Sequence, residues 1–177
     1  MKLVKYFIFC LVVSTSLPAP ADILINANLG LSYPDYEDVT LRSAYSGSGH
    51  YILKNNLALG GYYYSSPKVE DFGRFHVSVS GVDIAYRIQN WNQSLIGLRL
   101  GLANVTWEPI PQTITSTPFA MGLYFRYVGW TFDPLDFGFI FSVYSVNGDS
   151  LVIPPDTSIE LENFFVTNFL FSIGLRI

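Results

Sequence analysis

Cysteine, charge and long apolar runs are all scarce in this sequence. The single cysteine is Cys10, close to the start. A chain cut before Asp22 would therefore have no disulfide, no thiol nucleophile and no Cys metal site. Histidine is nearly absent too: His50 and His76 are the only two, and neither has the spacing of metal ligands. Charged residues make up 14% of the chain, against about a quarter in soluble domains. Beyond the opening residues no apolar run reaches the roughly 20 residues of a transmembrane helix. Basic residues are the minority. Without Lys2 and Lys5 eight remain against fourteen acids, a net charge of −6 that argues against nucleic acid as a partner.

What is present is apolar and aromatic. Half of the residues are hydrophobic and 16% are Phe, Trp or Tyr. An apolar, aromatic, weakly charged chain without a helical span has the composition of a transmembrane β-barrel. The first 21 residues read as a secretory signal peptide. Lys2 and Lys5 give the positive start, Tyr6 to Val13 the apolar stretch, and Ala19-Pro20-Ala21 the cleavage site. Cys10 lies inside the apolar stretch with no small residues before it, unlike a lipoprotein signal. The expected organisation is a signal peptide over 1–21 and one barrel domain over 22–177.

Period-two alternation, the mark of a two-faced strand, recurs eight times. The strands are expected at about 23–31, 42–53, 57–64, 75–88, 94–106, 118–128, 136–144 and 168–177. The last shows the pattern most plainly. Phe169, Phe171, Ile173, Leu175 and Ile177 share one face, with Leu170, Ser172, Gly174 and Arg176 on the other. In the fourth strand the phase breaks: Phe75, Val77 and Val79 are odd, whereas Val82, Ile84, Tyr86 and Ile88 are even. One extra residue near Ser80-Gly81 would restore the pattern, so a β-bulge is predicted there. Short turns at Lys54-Asn55-Asn56, 89–93 and 129–134 alternate with longer connections at 34–39, 65–74, 107–117 and 147–162. An even strand count with long and short connections in turn predicts an all-β, eight-stranded antiparallel up-and-down transmembrane β-barrel.

A soluble ligand-binding barrel would put its apolar face inward and a Lys- and Glu-rich face outward. Here the second face is made of Ala58, Gly60, Gly97, Gly101, Gly122 and Gly138, with Tyr and Arg between. Small residues plus a few long polar ones suit a narrow lumen. Ten of the fourteen acids lie in the four long connections, as expected if the walls face lipid. Tyr33, Tyr51, Trp91, Trp107, Tyr127 and Trp130 fall near strand ends, where interfacial girdles form. Arg87, Arg99, Arg126 and Arg176 each sit between apolar neighbours on the lumenal phase, and Asp83 shares that phase with Arg87. Buried guanidinium groups need partners, and Asp83, Asn26, Asn28, Tyr62, Tyr124 and Tyr144 are the candidates. A structural polar plug is the expected role, with a selectivity filter as the sharper alternative.

Ile173-Gly174-Leu175-Arg176-Ile177 resembles the closing strand of small outer-membrane proteins of the OmpX/Ail and OmpA-barrel type, with Ile177 in place of the usual terminal Phe. The stretch from Gly49 to Tyr62 is similar to the second hairpin of opacity-type porins. The resemblance implies a barrel in the outer membrane of a Gram-negative bacterium, reached by signal-peptide export. It also implies that Phe169, Phe171, Ile173, Gly174, Leu175 and Ile177 form the signal read by the outer-membrane assembly machinery. Expected partners are outer-membrane lipids, lipopolysaccharide and a surface ligand held by the loops, with a monomer as the unit and no cofactor. The expected function is a structural or surface-interaction barrel with acidic loops and no catalysis. Two alternatives stand beside it. His76 and Ser78 share one face, as a lipid A deacylase pair would, but Val79 follows where that family has Asn. A narrow channel for small solutes is the other.

Overall fold

A computed structural model describes residues 22–35, 41–66, 74–108, 114–153, 157–161 and 163–177. The signal-peptide segment 1–21 lies outside the described residues. Among the described residues eleven strands follow in chain order: β1 (Asp22–Asp35), β2 (Arg42–Ile52), β3 (Leu57–Ser66), β4 (Arg74–Ile88), β5 (Ser94–Glu108), β6 (Ile114–Ser116), β7 (Phe119–Phe132), β8 (Leu135–Val146), β9 (Asp149–Ile153), β10 (Thr157–Leu161) and β11 (Phe164–Arg176). Eight of them form the wall in the order β4-β3-β2-β1-β11-β8-β7-β5, and β4 pairs with β5 to close it. Every neighbouring pair is antiparallel. β1 and β11 form the closing seam, from Leu24 opposite Arg176 to Asp35 opposite Phe165.

The strands are tilted. Stepping sideways from Asn104 leads through Ser78, Ser65, Tyr45, Leu29, Phe171 and Phe139 to Tyr127. Tyr127 adjoins Arg126, the partner of Leu95. One circuit of the wall thus returns about ten residues lower on β5. Such a stagger belongs to an eight-stranded barrel just wide enough to be filled by side chains.

Alternation sorts the side chains as their chemistry requires. Leu29, Val82, Leu98, Leu123 and Phe169 point outward and are exposed, whereas Asn28, Asp83, Arg99, Tyr124 and Leu170 point inward and are buried. In β11 the outward residues Phe169, Phe171, Ile173 and Leu175, followed by exposed Ile177 just past its end, alternate with buried Leu170, Ser172 and Gly174. The tight turns end the strands with left-handed asparagine: Asn56 has φ 67 between β3 and its neighbour β2, and Asn92 has φ 47 between β4 and β5. Asparagine tolerates that conformation better than a branched residue does.

The bulge lies elsewhere than predicted. β4 keeps unbroken register with β3 and β5 through Ser80 and Gly81. Val77 and Val79 are fully buried, on the same inward phase as Asp83 and Ala85. The lumen is apolar at that level, so valines there mimic a lipid-facing phase. The irregularity falls instead between Val128 and Trp130 of β7 against β8. Gly129 is the added residue. Opposite it, Gly138 packs against the backbone of Tyr127 so closely that a Cβ would meet the Tyr127 carbonyl oxygen. Strands also extend further than the alternation suggested. β6 and the β9–β10 hairpin occupy parts of the connections expected to be loops.

Candidate functional site

The lumen is layered from the end with the long connections to the end with the termini. The first layer is apolar and aromatic. Tyr64, Val77, Val79, Tyr144, Val146 and Phe164 fill it. The hydroxyl of Tyr64 meets Ser32 Oγ at 2.5 Å, so the ring's polar tip is satisfied. Below it the walls are braced by short amide–hydroxyl bonds. Asn28 donates to Ser46 Oγ at 2.8 Å, Asn26 to Ser48 Oγ at 3.2 Å, and Asn168 to Ser142 Oγ at 3.2 Å.

The middle layer is built around Arg99, which is 2% exposed. Its guanidinium carbon lies 4.0 Å from the Tyr124 ring centre and 4.7 Å from that of Tyr62. Cation–π attraction is strongest where water is excluded, as here. Nη1 donates to Tyr144 Oη at 2.6 Å, and Nε to Asp83 Oδ2 at 3.4 Å. His50 Nε2 sits 2.9 and 3.0 Å from the two oxygens of Asp83, and 3.0 Å from Tyr124 Oη. A carboxylate only accepts, so Nε2 is the nitrogen that bears the proton.

The third layer, toward the termini, holds Arg126, Arg176 and Arg87, whereas buried Arg42 lies at the other end, beside Ser32. Arg126, fully buried, donates from Nε to Ser172 Oγ at 3.1 Å, and its Nη1 lies 3.9 Å from Asp136 Oδ2. Arg176 Nη2 bonds the same carboxylate oxygen at 2.6 Å. Nearer the mouth, Arg87 Nη1 reaches Asp22 Oδ2 at 2.5 Å, and its Nε reaches Asn56 Oδ1 at 3.2 Å. Leu24, Ile52, Ala58, Ala85, Leu95 and Tyr124 form a second buried apolar cluster.

Of the residues expected in the lumen, Asp83, Arg99 and Arg126 are buried and Arg87 and Arg176 half-buried, and they form separate groups. Asp83 serves Arg99, its direct partner across β4 and β5, rather than Arg87 on its own strand. Asn26 and Asn28 bond serines instead of arginines. Three members escaped the sequence reading. Asp136 and Asp22 lie at strand starts, where alternation gives little warning of direction. His50 carried no local signal that pointed to Asp83, 33 positions away.

His76 and Ser78 lie on the outward phase of β4, near the end with the long connections. The His76 Nδ1–H donates to the Ser66 carbonyl. No group of three potential metal ligands occurs among the described residues. Of the expected girdle, Tyr33, Trp91, Tyr127 and Trp130 are exposed on the outer wall and Tyr51 is half-buried. The side chain of Trp107 lies outside the described residues.

An apolar outer wall around a closed, filled lumen defines a small transmembrane-type barrel. Solved structures share this fold. Neisserial surface protein A, at 12% identity, superposes with a TM-score of 0.64 over 88% of this chain and 97% of its own. Ail of Yersinia pestis, solved with the heparin analogue sucrose octasulfate, gives 0.60 at 13% identity over 90% and 100%. A major outer membrane protein of Thermus thermophilus gives 0.54 at 11% identity over 90% and 100%. The chain therefore has the fold of small eight-stranded outer-membrane barrels. No protein-family model and no curated protein matches its sequence.

Proposed function

We propose that this chain is an exported outer-membrane barrel that presents its acidic connections at the cell surface and catalyses no reaction. The filled lumen is the observation that carries this reading. Tyr64, Val77, Val79, Arg99, Arg126, Tyr144 and Leu170 are each 2% exposed or less, and together they plug the bore at three levels. The outer wall is occupied by membrane lipid, so what is left to interact is the set of connections. Those connections contain ten of the fourteen acids. A barrel so charged suits cationic partners, or lipopolysaccharide reached through divalent cations, rather than the polyanion held in the Ail structure. His76, tied to a backbone carbonyl, has no carboxylate to orient it as a catalytic base among the described residues, and this favours the non-catalytic reading.

In this reading the short turns and the termini face the periplasm. Phe169, Phe171, Ile173, Leu175 and Ile177, all exposed on the outer wall of β11, are the face presented to the assembly machinery. Two measurements test the proposal together. The purified barrel in planar bilayers is expected to be electrically silent. Cells in which the long connections are replaced by two-residue turns are expected to keep a folded barrel and lose a surface phenotype. Stepwise conductance, or a changed lipid A acylation pattern dependent on His76, overturns it.

A further inference from the structure

The apolar part of the outer wall does not end at one height. Stepping sideways from Ser80 on β4 leads through Tyr63, Gly47, Ala27 and Ile173 to Phe137 on β8. A circuit of eight steps descends about ten residues, so these five descend about six. The residue of β8 level with Ser80 is therefore Val143. By the same count Leu31 of β1 and Phe169 of β11 stand at that level.

On those three strands the level is apolar, and Leu31 and Phe169 are exposed on the outer wall. Above it β1 still carries Tyr33 and β11 Phe165, both exposed, with Thr167 and Ser145 as interruptions. On β4 the exposed apolar residues stop lower, at Val82. Ser80, Ser78 and His76 continue the outward face toward the end with the long connections. Ser78 pairs with Asn104 and His76 with Thr106, whereas Leu102, opposite Ser80, marks the flank on β5. On β3 the outward apolar residues end at Tyr63, directly across from Ser80, with its ring 6.3 Å from that of Tyr45.

Tyrosine favours the headgroup level of a membrane. Tyr33 marks that level on β1, and it stands about three residues above Tyr63, or about 8 Å along the axis at the rise and tilt of such strands. A hydroxyl held in hydrocarbon gives up its bonds to water. A bilayer meets a short apolar wall by thinning, at a modest cost for each ångström. The polar face also adjoins the rim where headgroups already lie.

We infer that the barrel thins the membrane beside β3 and β4, where lipid headgroups and water descend to the level of Ser80 and Tyr63. The partner of this face is the headgroup layer of the surrounding lipid. This requires a barrel that spans a bilayer, as proposed above, and a label on the far wall reports that separately.

Beyond Cys10 the chain has no cysteine, so single-cysteine variants carry one nitroxide each. The barrel, cut before Asp22, is folded into dioleoylphosphatidylcholine vesicles and labelled in turn as Ser80→Cys, Val143→Cys and Gln89→Cys. Collisions with a water-soluble nickel chelate, and with oxygen, which concentrates in hydrocarbon, give the depth of each label. The nickel-to-oxygen ratio of the Ser80→Cys label is expected to exceed that of Val143→Cys several-fold. The Gln89→Cys label, in the turn below β4, is expected to stay open to nickel. Ser78→Leu, Ser80→Leu and Asn104→Leu together lengthen the apolar face. They are expected to move a Tyr63→Cys label from nickel access to oxygen access. Ser80→Cys and Val143→Cys labels equally immersed, or a Tyr63→Cys label unmoved by the leucines, overturn the inference. So does an immersed Gln89→Cys label, which means that the barrel leans instead. Spin–spin broadening at Ser80→Cys overturns it too, because a second copy then covers the face. Nickel access at Val143→Cys as well as at Ser80→Cys overturns the membrane-spanning reading itself.

Discussion

The stakes at the residue scale are highest at Asp83. This one carboxylate faces Arg99 at 3.4 Å and His50 at 2.9 Å, all three buried. Replacing it by Asn leaves Arg99 with tyrosine faces and hydroxyls but no counter-charge. Removal of one partner from a buried ion pair costs about 3–5 kcal/mol. Asp83→Asn is therefore expected to lower the urea midpoint of the vesicle-folded barrel strongly. Tyr144→Phe removes one charge-assisted bond, that to Arg99 Nη1, and is expected to cost about 1.5–3 kcal/mol in the same titration. The larger loss should belong to Asp83. If Tyr144→Phe proves the more damaging, Arg99 is held by the ring stack and hydroxyl rather than by charge.

The strands themselves test the corrected phase of β4. Register is continuous from Val77 to Ile88, so deleting Gly81 would turn Val82, Ile84 and Tyr86 inward and Asp83 and Arg87 toward lipid. That deletion is expected to abolish the heat-modifiable form on gels. With a bulge at Ser80-Gly81 the same deletion would be harmless. In β11, Phe169→Arg puts a charge on the exposed apolar face at mid-strand, at a cost of about 2–4 kcal/mol near the bilayer midplane. Insertion into vesicles is expected to fall accordingly, whereas Ser80→Val, a swap toward the belt's own chemistry, is expected to be tolerated.

These elements also show how far the sequence could be read. The outward and inward faces of β1, β5, β7, β8 and β11 follow directly from alternation, because a lipid-facing wall admits almost nothing polar. Alternation failed where the lumen is also apolar: at Val77 and Val79 both phases look alike, and only the pairing partners decide. The direction of Arg99 was legible, but its surroundings were not. Tyr62, Tyr124, Tyr144 and Asp83 come from four strands, and the stagger of the barrel, which no local pattern encodes, brings them to one level.

On the scale of the whole molecule, stability rests on the closed hydrogen-bonded wall and the filled bore, with no disulfide among the described residues. Reductant is therefore expected to leave the thermal midpoint of the barrel unchanged, as followed by far-ultraviolet circular dichroism. The plug also rests on more than one layer. Among the described residues the upper apolar layer and the Arg126 layer share no ion pair, so opening one should not open the other. Arg99→Ala is accordingly expected to weaken the fold without producing conductance in planar bilayers.

The seam between β1 and β11 joins Leu24 to Arg176 and Ile23 to Ile177, nearly the full length of the chain apart. Without β11 in place, β1 and β8 would each present a row of unpaired amides and carbonyls. Such a row is an invitation to pair with any extended chain nearby. Closure over so long a loop is slow. A chain that has paired its other strands but not this seam is thus an open sheet with two adhesive margins. Forming the seam removes both margins at once, so the last pairing to form is also the one that ends the chain's capacity to pair with others.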